Sequence, residues 1–211
     1  MSAALLSVNV GKSEPGPWTG RVGRTSIRKR AVSGPVAVRA AGLDGDTRSD
    51  TKYHGGPENA VYAYAREDLD HFEALLGESL RDGQFGENLT TSGIDVNAAL
   101  LGERWRVGTA LLEVASVRTP CVVFQNWMGK SGHNDAAWIK RFTAELRPGP
   151  YLRVLEEGVI EPGDPVVVEH RPDHGISVVT LFRAMRTDRT LRQDLLSEPA
   201  LPETARALLC R

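Results

Sequence analysis

The chain has 211 residues, enough for one domain of ordinary size or one domain with a small appendage. With 41% hydrophobic and 25% charged residues, the composition is that of a globular protein and excludes disordered, collagenous and membrane-spanning classes. A formal net charge of −1 leaves no overall positive field for a phosphate polymer or an anionic bilayer, so neither nucleic acid nor membrane is an expected partner.

The first residues, Met1 through Val8, lack the basic region and long apolar run of a signal peptide, so the expected location is cytoplasmic. Apolar or β-branched runs at 5–10, 36–39 and 60–64 predict strands. The segment 66–76 predicts a helix, with Leu69, Phe72, Leu75 and Leu76 on one face and Gly77 as its stop. Runs at 104–107 and 110–117 predict a hairpin turned by Gly108, which accepts positive φ without a Cβ clash. A second helix is expected over 134–146, then strands at 151–155 and 165–169. Beyond Pro172 the texture turns helical, with Ser177 as a cap and amphipathic stretches at 178–185, 191–196 and 202–209. This pattern predicts a mainly β fold with some α (α+β), a barrel or sandwich over 1–172, and a three-helix tail over 173–211.

Four polar clusters carry the chemistry. Gly42-Leu43-Asp44-Gly45-Asp46 and Lys52-Tyr53-His54-Gly55-Gly56-Pro57 suit either a plain turn or an anion-binding nest, because paired glycines let the backbone approach a ligand. Phe85-Gly86-Glu87-Asn88-Leu89 sets a carboxylate beside a carboxamide, fit to grip a heterocycle, buttress a side chain or cap a turn. Arg118-Thr119-Pro120-Cys121 follows a strand directly, where functional side chains often sit. Cys121 reads either as a reactive or metal-binding thiol beside a guanidinium, or as an inert core residue. The other cysteine, Cys210, lies next to the C-terminal residue and reads as packing, while His71, His133, His170 and His174 read as surface histidines. No clustered Cys/His zinc set, Walker loop or dinucleotide fingerprint occurs, so a bound cofactor is expected to supply most of the reactivity. Pyridoxal phosphate is not indicated.

Taken together and in this order, the four clusters resemble the MOSC domain family, the molybdenum cofactor sulfurase C-terminal domain, most closely its stand-alone YiiM-like members. The resemblance extends to Ser7-Val8-Asn9-Val10-Gly11 at the start, to Tyr151-Leu152-Arg153-Val154-Leu155 near the domain's end, and to the helical tail. It departs at Asn59, where many relatives carry Arg or Lys, and at Ser26, which replaces a common glycine. The resemblance implies a MOSC-type β-barrel with short helices, holding a molybdopterin-type molybdenum cofactor. By the same resemblance Cys121 is the molybdenum ligand. His54, Glu87 and Asn88 join it as catalytic or positioning groups, and Lys29, Asp46, Lys52, Gly55, Gly56 and Arg118 bind the cofactor. The implied activity is reduction of N-hydroxylated compounds such as N-hydroxylated purines, with 6-hydroxylaminopurine resistance as its phenotype. An external electron-donor reductase is the expected partner and oligomers are allowed. A persulfide carrier on Cys121 and a non-catalytic cofactor-carrying module are the alternatives.

Overall fold

The computed structural model describes residues 2–49 and 56–210, and the apolar runs form strands at close to the expected bounds. The N-terminal part supplies β1 (Ala4–Val10), β2 (Glu14–Pro15), β3 (Arg24–Thr25), β4 (Arg30–Val32), β5 (Val36–Arg39) and β6 (Gly42–Leu43). Then β7 (Val61–Ala65), buried along all of its length, runs straight into α1 (Arg66–Leu76), which Gly77 ends in the left-handed conformation. After β8 (Leu89–Ser92), the hairpin of β9 (Arg104–Val107) and β10 (Ala110–Val117) turns at Gly108, φ 53°. The helices α2 (Val122–Lys130) and α3 (Trp138–Ala144) precede β11 (Pro150–Glu156), β12 (Gly158–Ile160) and β13 (Val166–His170). The chain closes with α4 (Val178–Arg186), α5 (Leu191–Ser197) and α6 (Glu203–Leu209). Among the described residues no helix is long and apolar enough to cross a membrane.

The main sheet has eight strands in the order β13-β9-β10-β11-β7-β8-β1-β4, with β7 and β8 the parallel pair. It is an open sheet in a mixed α and β fold, and this corrects the expected barrel. The reason lies in β1. Its residues 8–10 already pair with β4, so only the stretch 3–5 meets the turn before β13 and the first residue of that strand, through one bridge from Ala4 to Pro165, bonds between Leu5 and residues 163–164, and one from Val166 N to the Ala3 carbonyl. That contact is too short to be a closing ladder.

Two cores flank the sheet. One packs Trp105, Leu112 and Val114 of the sheet against Leu181, Phe182, Ala205 and Leu209 of the tail helices. The other is aromatic: Phe72, Phe85, Phe124, Trp138 and Phe142 meet with ring centroids 5.2 to 6.2 Å apart, several pairs edge to face as ring quadrupoles favour. The expected helix over 134–146 shortens because Ala137 and Leu146 adopt positive φ, 51° and 55°, and close it at both ends. The expected cap of α4 is present: the Ser177 hydroxyl accepts from Thr180 N at 3.2 Å.

Candidate active site

Strand β10, buried at every residue, delivers Arg118 and Cys121 to one place. Pro120 offers no N–H to continue a ladder, and the chain turns there into α2. Cys121 is the residue before that helix, extended at φ −134° and ψ 171°, its carbonyl accepting from Gln125 N at 3.1 Å. The thiol therefore stands at the positive end of a nine-residue helix, half-buried against the aromatic core, on the wall of a cavity of about 760 Å³. It is not sealed in the interior.

Beside it, the Arg118 guanidinium is buried, lies 4.0 Å from the Phe124 ring centroid and 5.2 Å from that of Tyr62, and donates through Nη1 to the Phe85 carbonyl at 2.8 Å. Burial alone would lower its pKa, but the electrostatic pull of Tyr62, Tyr151 and Cys121 outweighs it and the net direction is upward. Among the described residues no carboxylate bonds it, and it lines the cavity with Glu87 as its electrostatic neighbour behind the wall.

A second stretch of wall carries Lys29, Asp46 and Asn88, which the structure joins to each other. Lys29 Nζ is 2.5 Å from both Asp46 oxygens, and Asp46 also accepts from Gly11 N at 2.7 Å and Asn88 Nδ2 at 3.0 Å. Burial pulls the Lys29 ammonium below its ordinary value against the opposing Asp46 charge. The pair thus presents hydrogen-bond donors with little net charge. Cationic groups not ion-paired among the described residues are Arg48, which donates to the carbonyls of Gly56 at 2.9 Å and Asn59 at 3.4 Å, and Arg21 and Arg24 at the cavity edge. The Ser26 and Ser49 hydroxyls, 2.6 Å apart, line the same stretch.

Glu87 is brought close but stands behind the wall, wholly buried, accepting from the backbone of Gly83 and Phe85. Lys52, His54 and Gly55 lie outside the described residues, while Gly56 enters through its carbonyl bond to Arg48. Sequence reasoning missed Arg48, although it follows Asp46 by two positions. It also missed the tail's contribution, Met185, Thr204, Ala207 and Leu208, which line the cavity. Thr204 is placed there by its hydroxyl bond to the Ala115 carbonyl of β10, 3.3 Å, a long-range contact with no local signature.

Among the described residues, no group of three or more His, Cys, Asp or Glu side chains forms a site for a bare ion. What the cavity offers is one thiol with guanidinium groups, hydroxyls and fewer carboxylates, a set suited to a metal that arrives with its own ligands and an anionic tail.

Fold and cavity together define a mixed α and β protein with a single-thiol pocket lined by guanidinium groups and hydroxyls among the described residues. The model of the MOSC domain matches residues 50–167. The uncharacterized protein YflK of Bacillus subtilis is 32% identical over 211 residues, spanning 97% of this chain and 91% of that protein. A protein named reductase from Gibberella moniliformis is 32% identical over 201 residues, which is 92% of this chain but only 34% of that longer protein. The crystal structure of YiiM from Geobacillus stearothermophilus superposes with a TM-score of 0.75 at 30% identity, over 98% of this chain and 99% of that one. The chain belongs to the MOSC domain family, and its fold is YiiM-like.

Proposed function

We propose that this protein is a molybdenum-cofactor-dependent oxidoreductase that reduces N-hydroxylated compounds, N-hydroxylated purines among them. The observation that carries the reading is the placement of Cys121, a thiol at a helix N-terminus on the wall of a cavity where the cations Arg21, Arg24, Lys29, Arg48 and Arg118 outnumber the carboxylates Asp46 and Glu58. The reductase name of one relative and the family assignment support it. When bound, the cofactor supplies the two-electron chemistry that breaks the N–O bond and releases its oxygen as water.

The chain's own groups do the rest. Cys121 ligates molybdenum as its thiolate, the softer form of the donor. Arg118, Arg48 and the Lys29–Asp46 pair would hold the pterin phosphate, the guanidiniums by charge and hydrogen bonding and the pair by its donors. Lys52, His54 and Gly55 position the pterin or the substrate in this reading. Met185, Ala207 and Leu208 give the organic part of the substrate an apolar surface. Electrons come from an external reductase.

Protein purified from a cofactor-competent host should contain near-stoichiometric molybdenum by elemental analysis. In Cys121→Ala both the metal and N-reduction should be lost. Unchanged molybdenum in that variant rejects the ligand role, and a removable persulfide on Cys121 without metal favours sulfur transfer instead.

A further inference from the structure

The site as described uses Glu87 nowhere, yet its carboxylate is the fully buried hub of the loop behind Arg118. We propose that Glu87 is a positioning residue: by accepting from the Gly83 and Phe85 N–H groups it fixes the 83–86 turn, whose Phe85 carbonyl aims the Arg118 guanidinium at the cavity. The importance of that aim rests on the anion-binding reading of the cavity.

The chain of contacts is continuous. Glu87 accepts from Gly83 N at 2.5 Å and Phe85 N at 2.9 Å, and from the Thr90 hydroxyl at 3.2 Å. Phe85 then accepts from Arg118 Nη1 at 2.8 Å. The turn closes on itself through one backbone bond, Gly86 N to the Gly83 carbonyl at 3.2 Å, and Gly83 and Gly86 sit at φ 76° and 84°, so the two bonds from Glu87 add the side-chain anchor that ties it to the interior. A Cβ on Gly86 would lie 2.9 Å from Ile27, itself a cavity residue, so the turn is pressed against the wall it supports. The same turn has a built-in reporter, because the Trp127 indole N–H donates to the Gln84 carbonyl at 2.7 Å.

The charged and titratable groups facing Glu87 are Lys29, Arg81 and Arg118, with Tyr62 and Tyr64 on β7. Burial raises the Glu87 carboxyl to about 7, its bonds to the turn opposing the rise. A carboxylate accepts from both N–H groups with charged oxygens, whereas the acid form carries a proton on one oxygen, which then accepts more weakly, and loosens the turn. The aim of Arg118 therefore follows the proton on Glu87.

The test uses the full chain labelled with ¹⁵N, with Trp127→Phe and Arg118→Lys assigning the indole and guanidinium signals. In the wild type, the Trp127 Nε1–H and Arg118 Nε–H resonances should shift together with one midpoint near neutrality. In Glu87→Gln both titrations should vanish, and affinity for inorganic phosphate at pH 8 should fall about tenfold, as for loss of a charge-assisted contact. In an Arg118→Lys background, Glu87→Gln should cost no further phosphate affinity, an effect that mere loosening of the fold would not produce. If Glu87→Gln does not fold, the wild-type titration still decides. A flat Arg118 resonance between pH 5.5 and 8.5, or one that moves without Trp127, overturns the proposal. Coupled titration in a wild type that binds no phosphate supports the positioning and instead sinks the anion reading of the cavity.

Discussion

At the scale of single residues, part of the cavity wall is held by a charge pair that is almost wholly removed from bulk water. Lys29 and Asp46 are both buried, so removing one leaves the other desolvated and unpaired. Asp46→Asn should therefore cost about 3–5 kcal/mol in urea unfolding, whereas loss of an exposed pair such as Arg28 with Glu14 should cost well under about 1 kcal/mol. Glu87 works in the other direction. Its folded carboxyl is raised to about 7, above its unfolded value, so the native state keeps a proton that the unfolded chain releases. Stability from this group is present below the unfolded pKa and is lost as pH rises toward neutrality, by on the order of 3 kcal/mol in full. Denaturation midpoints measured at several pH values should show that slope, and Glu87→Gln should flatten it; an unchanged slope in the variant rules the group out as its source. Holding the turn in its charged form thus has a cost in global stability.

At the scale of elements, the sequence was most readable where burial imposes a period. The strands at 36–39, 104–107 and 110–117 and the helix at 66–76 match their expected bounds, because one pattern and one stop signal decide each. Short pairings such as β3 and β6 left no trace, since two residues carry no period. Helix α2 was hidden because it opens on Val122, Val123 and Phe124, residues that read as strand, and its helicity is decided by packing Phe124, Trp127 and Met128 into the aromatic core. The site was visible as residue types and not as partners: Lys29, Asp46 and Asn88 were each marked as ligand contacts, but their mutual bonds span 17 and 42 positions. The capping of α4, by contrast, was a local signal. Ser177→Ala should cost about 1 kcal/mol, read by urea denaturation, and loosen the helix that carries Met185 to the cavity; an unchanged midpoint would mean that the cap contributes nothing.

At the scale of the whole molecule, the sheet and the tail share a core. Val178, Leu181, Phe182 and Ala184 are fully buried with sheet residues, and Arg171 reaches back to the buried Glu103 at 2.8 Å. Burying side chains of this size stabilises by roughly 1.5–3 kcal/mol each, a large share of a domain's net stability. A chain ending before Ser177 should therefore accumulate in the insoluble fraction, and Phe182→Ala in the full chain should lose about 3–5 kcal/mol. A soluble truncated chain with a wild-type melting temperature would show that the tail is dispensable to the fold.

The tail touches the cavity through Met185, Thr204, Ala207 and Leu208, while the thiol and the cationic groups come from elsewhere in the chain. Divergence among descendants can then retune which organic groups are admitted by altering helices that carry neither the thiol nor the cationic groups of the cavity. A chimera bearing another relative's terminal helices should inherit that relative's appetite and keep its own chemistry.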